Sequence, residues 1–526
     1  RTKQALDNSG SLNANGGVDL TAKSGLNNTA ELTVNKLVVL GDVLNNANAK
    51  ITAQTTDIHT NTFDNRQGEF TAAQQLNITA NQLDNRSGKL QSVNDADLAI
   101  SGSLNNQDGD IAANHAVNIH DNQAKTLRID NTDGKIVAKD VSLQSQSLDN
   151  RGKLAAGNNL SIDLKDDFSV ERNLEAGNKL SIKTAGSLNN TQTIQAESEV
   201  NIRAKQDISN RGLMSSNGLT RVEAGQELLN IGTGKIYGDH VALAADSVVN
   251  RDENGKAAVV AARERLDIGA RKLENQEAAV LSSEGDLGIG GSLNAEHKAT
   301  GLADSLINGS ARIEAQGNGS IAVRDLRNLN NHFKTEEYLA NSRHVVAYGY
   351  ANSTTRYIDG VDGREDKHRT NFHFHLNDGT TAISIHGKQT KTVVREEYDE
   401  LTYKEKIVEG SNRPASIVLG GSLNIHGDKW LNENSHIIVG ENIVGNNNQL
   451  IENKESLGNQ RIEKHNAKAE LNSYNRGGKA HTGKRRIRFD VATGFDAAPK
   501  LSTYHFADDI VVFKQNTAIG ANQQTA

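Results

Sequence analysis

At 526 residues the chain is longer than one ordinary globular domain, yet only 36% of it is apolar and 4% aromatic, too little to fill a correspondingly large globular core. The absence of cysteine excludes disulfides, zinc–thiolate sites and a thiol nucleophile, and suits export of an unfolded chain. A formal net charge of -7 argues against general binding to nucleic-acid phosphates, and the lack of any run of about 18 apolar residues predicts no membrane-spanning helix. The chain begins at Arg1 with neither methionine nor an apolar signal segment, which predicts a mature or excised piece of a longer protein.

From the first residues a short anchor recurs: Leu6-Asp7-Asn8, Leu26-Asn27-Asn28, Leu44-Asn45-Asn46, Phe63-Asp64-Asn65, Leu83-Asp84-Asn85 and Leu104-Asn105-Asn106. Further on come Leu148-Asp149-Asn150, Leu188-Asn189-Asn190, Ile208-Ser209-Asn210, Leu229-Asn230, Val249-Asn250 and Leu273-Glu274-Asn275, with Ile129-Asp130-Asn131 less conspicuous. Neighbouring anchors lie about 18–21 residues apart, a period in the solenoid range. Within a unit a polar turn, usually with Gly, follows the anchor, and two alternating runs follow the turn, as in Ile111-x-Ala113 with Val117-x-Ile119, or Ile194-x-Ala196 with Val200-x-Ile202. Apolar residues two apart share one face of a strand, whereas a helix requires spacings of three and four.

Each unit is therefore two or three short strands that bury their inward face only by stacking on the next unit. Asparagine and glycine are expected to accommodate left-handed backbone at the corners, stacked asparagines to hydrogen-bond along the axis, and Ala113, Ala138, Ala156 and Ala196 to mark a narrow part of the interior. A leucine-rich repeat shares the period but would need an L-x-x-L-x-L signature and helical segments that these units lack.

The units GSLNNQDGDIAANHAVNI, QSLDNRGKLAAGNNLSI and GSLNNTQTIQAESEVNI resemble the haemagglutination repeats of filamentous haemagglutinins and of contact-dependent growth-inhibition exoproteins. The resemblance covers about residues 1–330. It implies an all-β fold, a right-handed parallel β-helix, in a protein exported by an outer-membrane two-partner transporter and displayed on the surface of a Gram-negative bacterium. It further implies a non-catalytic stalk without cofactor or membrane insertion, whose partner is an outer-membrane or host-cell-surface receptor, protein or glycan. The resemblance extends to neither the N-terminal secretion domain nor a C-terminal toxin of whole family members, whose roles it therefore does not imply for these residues.

At Phe333 the texture changes: four aromatic residues precede it and sixteen lie between Phe333 and Phe513. Residues 1–332 are assigned to the β-helix stalk and 333–412 to an extra-helical antiparallel hairpin insertion, with runs such as 344–350, 371–375 and 403–408 separated by Asp-Gly turns. Residues 413–445 recover the solenoid rhythm, and 446–526 read as a polar, β-rich segment where a receptor-binding region begins.

Among residues with possible chemistry, His373-x-His375, with His368 and His386 nearby, has two imidazoles on one strand face but no evident third ligand, which favours exposed strand histidines over a metal centre or haem capture. Asp359-Gly360-Val361-Asp362-Gly363 and Asp130-Asn131-Thr132-Asp133-Gly134 lack calcium-loop spacing and read as turns. A carbohydrate-active β-helix enzyme would need carboxylates gathered on one face, and here they are spread through the coils. Tyr348, Tyr350, Tyr357 and Trp430 are candidate receptor-binding residues because tyrosine and tryptophan are favoured at binding hot spots. Lys484, Arg485, Arg486 and Arg488 form a basic cluster suited to phosphate or sulfate groups, although such a cluster also serves as a solvated strand edge.

Overall fold

The computed structural model describes residues 5–14, 17–121, 126–367, 372–385, 391–445, 449–474, 485–490, 498–506, 517–519 and 524–525. The chain divides into two compact units, one comprising 1–331, 414–454 and 512–526, the other 332–413 and 455–511.

The first unit is a parallel β-solenoid. A representative coil contains three strands, Leu188–Asn190, Thr193–Ala196 and Glu199–Ala204, each in parallel register with its equivalent in the next coil, Ile208–Asn210, Leu213–Ser216 and Leu219–Ala224. Alternation directs Leu188, Asn190, Ile194, Ala196, Val200, Ile202 and Ala204 inward, all buried, while the residues between them face outward. One continuous hydrophobic core results, running from Ala22 to Ile451.

The Leu-x-Asn anchor is one strand with two inward side chains. Its first residue joins an apolar column, and its last joins a buried asparagine ladder. Each Asn Nδ2 donates to the Oδ1 of the next coil, at 2.7–2.8 Å from Asn8 to Asn131 and at 2.7–3.1 Å from Asn190 to Asn453. The same amides donate to backbone carbonyls of the corner, as Asn65 does to Gly68 and Lys89. The ladder thus satisfies polar groups that burial would otherwise penalise, and it ties each coil to the next.

The corners depart from expectation in one respect. In the early coils the left-handed position is taken by Asn48, Gln67, Ser87, Asp108 and Asp133, with φ between 50° and 55°. The ladder asparagines and the glycines that follow are not left-handed there. Glycine is required instead for close approach: a Cβ on Gly88 would lie 2.1 Å from the carbonyl oxygen of Asn65.

The four alanines named from sequence are buried. Ala138, Ala156, Ala176 and Ala196 stack in register with one another, and the same column holds Ala53, Ala72, Ser92 and Ala113. Farther along the column Ala315 gives way to Leu419. Gly319 makes the room, since a Cβ there would lie 2.4 Å from Cδ1 of Leu419.

The ladder fails once. Val170, paired with Asn190, occupies a rung position, and the buried Nδ2 of Asn150 has no hydrogen-bond partner. At this level the corner also shortens: five residues carry the chain from Asn131 to the inward Ile136, but four suffice from Asn150 to Leu154 and from Val170 to Leu174. Val170→Asn is expected to supply the rungs to Asn150 and to Asn190, two of the three absent between Asn131 and Asn190. The gained hydrogen bonds outweigh the lost methyl burial, for a net stabilisation of about 1 kcal/mol measurable as a higher urea midpoint.

Two excursions explain the longer spacings. The hairpin Asp252–Ala257 projects from one coil and is clamped by Arg211, whose guanidinium contacts both carboxylate oxygens of Glu253 at 2.7 and 2.8 Å. The second hairpin, Ser292–Leu293 with Ala299–Thr300, lies across the outer face of neighbouring coils. Beneath it Asp267 is fully buried, bonded to His240 at 3.0 Å, to Arg265 at 2.6 and 3.1 Å, and to the Ala299 amide at 2.8 Å. Burial raises the Asp267 pKa, but the hydrogen bonds from His240, Arg265 and Ala299 outweigh it, holding the carboxyl below its usual range. A depressed native pKa contributes stability above the ordinary carboxylate value that is lost as pH falls through the native one. Hydrogen exchange at the Ala299 amide should therefore be protected above the ordinary carboxylate range and accelerate, relative to its intrinsic rate, only when the pH falls below that range.

The chain leaves the coils after Asn331 and resumes them at Pro414 without skipping a level: Arg312–Ala315 pairs with Ser416–Leu419, and Asn328 donates to Asn432 at 2.7 Å. The coils run on to Gln449–Lys454, whose far edge pairs antiparallel with Thr517–Ile519. The segment 446–526 is therefore not one region as the sequence suggested. Its beginning and end belong to the solenoid, and 455–511 joins 332–413 in the second unit.

The second unit is antiparallel. Thr335–Tyr350 pairs with Lys391–Ile407, and that strand pairs with Gly458–Tyr474. The far edge of Gly458–Tyr474 receives Lys500–Tyr504 and Arg485–Asp490 at different levels. A smaller sheet of Gly363–Lys367, Phe372–Leu376 and Thr381–Ile385 contributes Phe372, Phe374, Ile383 and Ile385 to a core shared with Tyr348 and Val393.

Candidate interaction surface

The long sheet of the second unit has two regimes. From Val345 to Tyr350 it packs on the aromatic core, but from Glu336 to His344 every residue of the edge strand is exposed. Over most of that stretch neighbouring side chains pair across strands instead of burying a face, while at its end Phe506 packs edge-on against Tyr504 and Phe333 at 5.7 and 6.0 Å.

Strand register sorts these residues onto two surfaces. One row is Leu339, Tyr403, Arg461 and Leu501, with the Arg461 guanidinium carbon 4.5 Å from the Tyr403 ring centroid. On the same surface Arg461 pairs with Glu337 at 2.8 Å and also with Glu463. Glu405 accepts from the Asn459 side chain at 3.0 Å, and His344 meets Asp399 at 2.9 Å.

The opposite surface carries Tyr338 and Tyr504, with Lys406 5.7 Å from the first ring and Lys404 5.3 Å from the second. Arg343 pairs with Glu400 at 2.7 Å, and Lys464 lies 4.6 Å from the Tyr398 ring. Pairs of this kind that stay in contact with solvent contribute about 0–1 kcal/mol each. They do perturb titration: hydrogen bonds from Asn466 and His344 hold Asp399 below the usual carboxylate range, and the bond to Asp399 raises His344.

The residues named from sequence fall differently. Tyr348 is buried, 2% exposed, with its ring 5.0 Å from Phe372 and its hydroxyl bonded to Glu365. Burial, and then that carboxylate, raise its pKa. Trp430 is 1% exposed in the solenoid core, stacked in register between Leu326 and Ile451. Neither can present a side chain to a receptor, because each fills an inward position of its strand.

Tyr350 and Tyr357 are half-buried against the aromatic core of the second unit. Lys484 lies outside the described residues. Arg485, Arg486 and Arg488 lie on a strand paired with Gly458–Tyr474. Leu339, Leu501 and Tyr338, exposed by 51%, 77% and 40%, escaped sequence reasoning, although their flanking charges made the run readable as solvated on both sides.

His373 and His375 stack with ring centroids 5.8 Å apart, and His375 lies 4.0 Å from Asp366. No group of three or more His, Asp or Glu side chains is placed to hold a metal among the described residues. His368 and His386 lie outside them. The Asp-Gly turns are held by their own carboxylates: Asp359 accepts the Glu365 amide, Asp362 the Ile358 amide, and Asp130 the Thr132 amide. On the solenoid, an open recess of about 680 Å³ lies along the shortened corners and includes Lys153, Arg172, Glu175 and Gln192.

A model of the haemagglutinin repeat matches residues 2–56, 41–172, 155–232 and 409–483, together more than half of the chain. No curated protein and no solved structure matches it. The matched segments cover the early coils, including the ladder to Asn230, and the level at which the coils resume at Pro414. The repeat is a structural, adhesin-like stalk element typical of secreted surface proteins, not an enzyme family. By its repeats and by the coils they build, the chain belongs to the haemagglutinin-repeat family.

Proposed function

We propose that this chain is a stalk segment of a bacterial surface exoprotein, exported through an outer-membrane two-partner transporter, and that its second unit recognises a receptor on another cell. The reading covers adhesion to a host cell and contact-dependent growth inhibition alike, and it assigns the chain no catalysis and no cofactor. One observation carries it: a regular solenoid interrupts its coils, without losing a ladder rung, to build a separate antiparallel unit with its own aromatic core and exposed faces. A pure spacer gains nothing from such an excursion, whereas a binding module gains a distinct surface.

The test is cell binding by the full chain against a variant in which 332–413 and 455–511 are replaced by short linkers. Excising 332–413 leaves one coil's length between Asn328 and Asn432, so the solenoid should persist, as a retained β-sheet circular-dichroism spectrum would verify. Binding to the target cell should disappear. Undiminished binding by a folded variant would place recognition on the coils instead.

A further inference from the structure

The two surfaces of the long antiparallel sheet differ in sign. One carries Glu337, Asp399, Glu405 and Glu463 against Arg461 as its fixed cation, with the apolar Leu339 and Leu501. The other carries Arg343, Lys404, Lys406, Lys464 and Lys500 against Glu336 and Glu400, with Tyr338 and Tyr504. Strand alternation contributes to this: Asp399 and Glu405 fall on one surface, and Lys404 and Lys406 on the other.

We propose that these surfaces dock on one another in successive copies of this chain, the acidic surface of one copy covering the basic surface of the next. The charge pattern selects this partner. Contact between two acidic or two basic surfaces sets like charges together, whereas acidic on basic neutralises both. Leu339 and Leu501 then seat against Tyr338 and Tyr504, with the sheets about 10 Å apart as in a β-sandwich. Such a contact is heterologous, so each copy keeps one surface free and the association propagates laterally.

Its size sets its strength. Three strands about 4.8 Å apart, a fourth along half their length, and about 30 Å of strand give roughly 500 Å² per surface. The resulting total, about 1,000 Å², lies at the lower limit for a specific interface. The contact is therefore weak, reversible and salt-sensitive, effective where many copies are held close together.

Sedimentation velocity on the full chain tests this. Wild type should self-associate at about 50 mM NaCl and weaken at least about tenfold at about 500 mM. The double variant Glu337→Lys with Glu405→Lys should stay monomeric, as should Lys404→Glu with Lys406→Glu. Mixing the two should restore association, because one then offers only basic and the other only acidic surfaces. Should either double variant lose its native circular-dichroism spectrum, Leu501→Lys, at a site 77% exposed on the acidic surface, should by itself weaken association. A wild type that stays monomeric to about 1 mM at low salt, variants that associate as wild type does, or a folded mixture that stays monomeric would each overturn the proposal.

Discussion

Replacing Asn85 by alanine is expected to cost about 3 kcal/mol, the price of leaving buried ladder groups without partners. The side chain is 0% exposed, accepts from Asn65 at 2.7 Å, and donates to Asn106 at 2.7 Å and to the Gly88 carbonyl at 3.2 Å. Alanine removes all three bonds, leaves the Asn106 Oδ1 without its ladder donor, and opens a void where the side chain stood. Because stability in a solenoid is a sum of coil and interface terms, the loss should be local. Hydrogen exchange should accelerate in the coils around 65–106 and leave those beyond Asn190 unchanged. Asn150→Ala is the control: its Nδ2 already lacks a partner, so the substitution should cost less than about 1 kcal/mol. Equal effects at the two positions would mean that the ladder contributes little.

Trp430→Ala should cost about 4 kcal/mol through the cavity it leaves between Leu326 and Ile451. Trp430 is the single tryptophan of the chain, so its fluorescence reports this coil alone. Emission should be blue-shifted in the native state and move to the red in a urea transition of the resumed coils. Trp430→Leu restores the residue type of most other coils and should recover most of the loss, apart from the difference in volume. If Trp430 were instead exposed, alanine would leave stability within about 0.5 kcal/mol.

Trp430 also shows where sequence reading failed. Its residue type makes it a candidate receptor-binding residue, whereas the strand register aligns Trp430 with the leading leucine column and Asn432 with the ladder. A shift of one residue exchanges the two faces of a strand, so residue type without register does not tell a core tryptophan from a surface one. Tyr348 was misread for a related reason: the alternation in 344–350 is visible, but which face the smaller sheet would cover is not. The strand Gly458–Tyr474 was unreadable as a partner of Lys391–Ile407 because both faces of that sheet are largely open, so no apolar side marks either strand.

The sequence by itself determined the solenoid. A local repeat with period-two alternation specifies an inward face in every coil, and stacking on the next coil is the way to bury it, so the ladder and the alanine column follow from position in the repeat. Only the tertiary structure decided the rest: that Val170 breaks the ladder, that Gly319 makes room for Leu419, and that 455–511 completes the sheet begun by 332–413. These depend on contacts between residues distant in the chain or on the fit of one side chain against another. A repeat pattern records what each coil has in common, whereas such contacts arise where the coils differ.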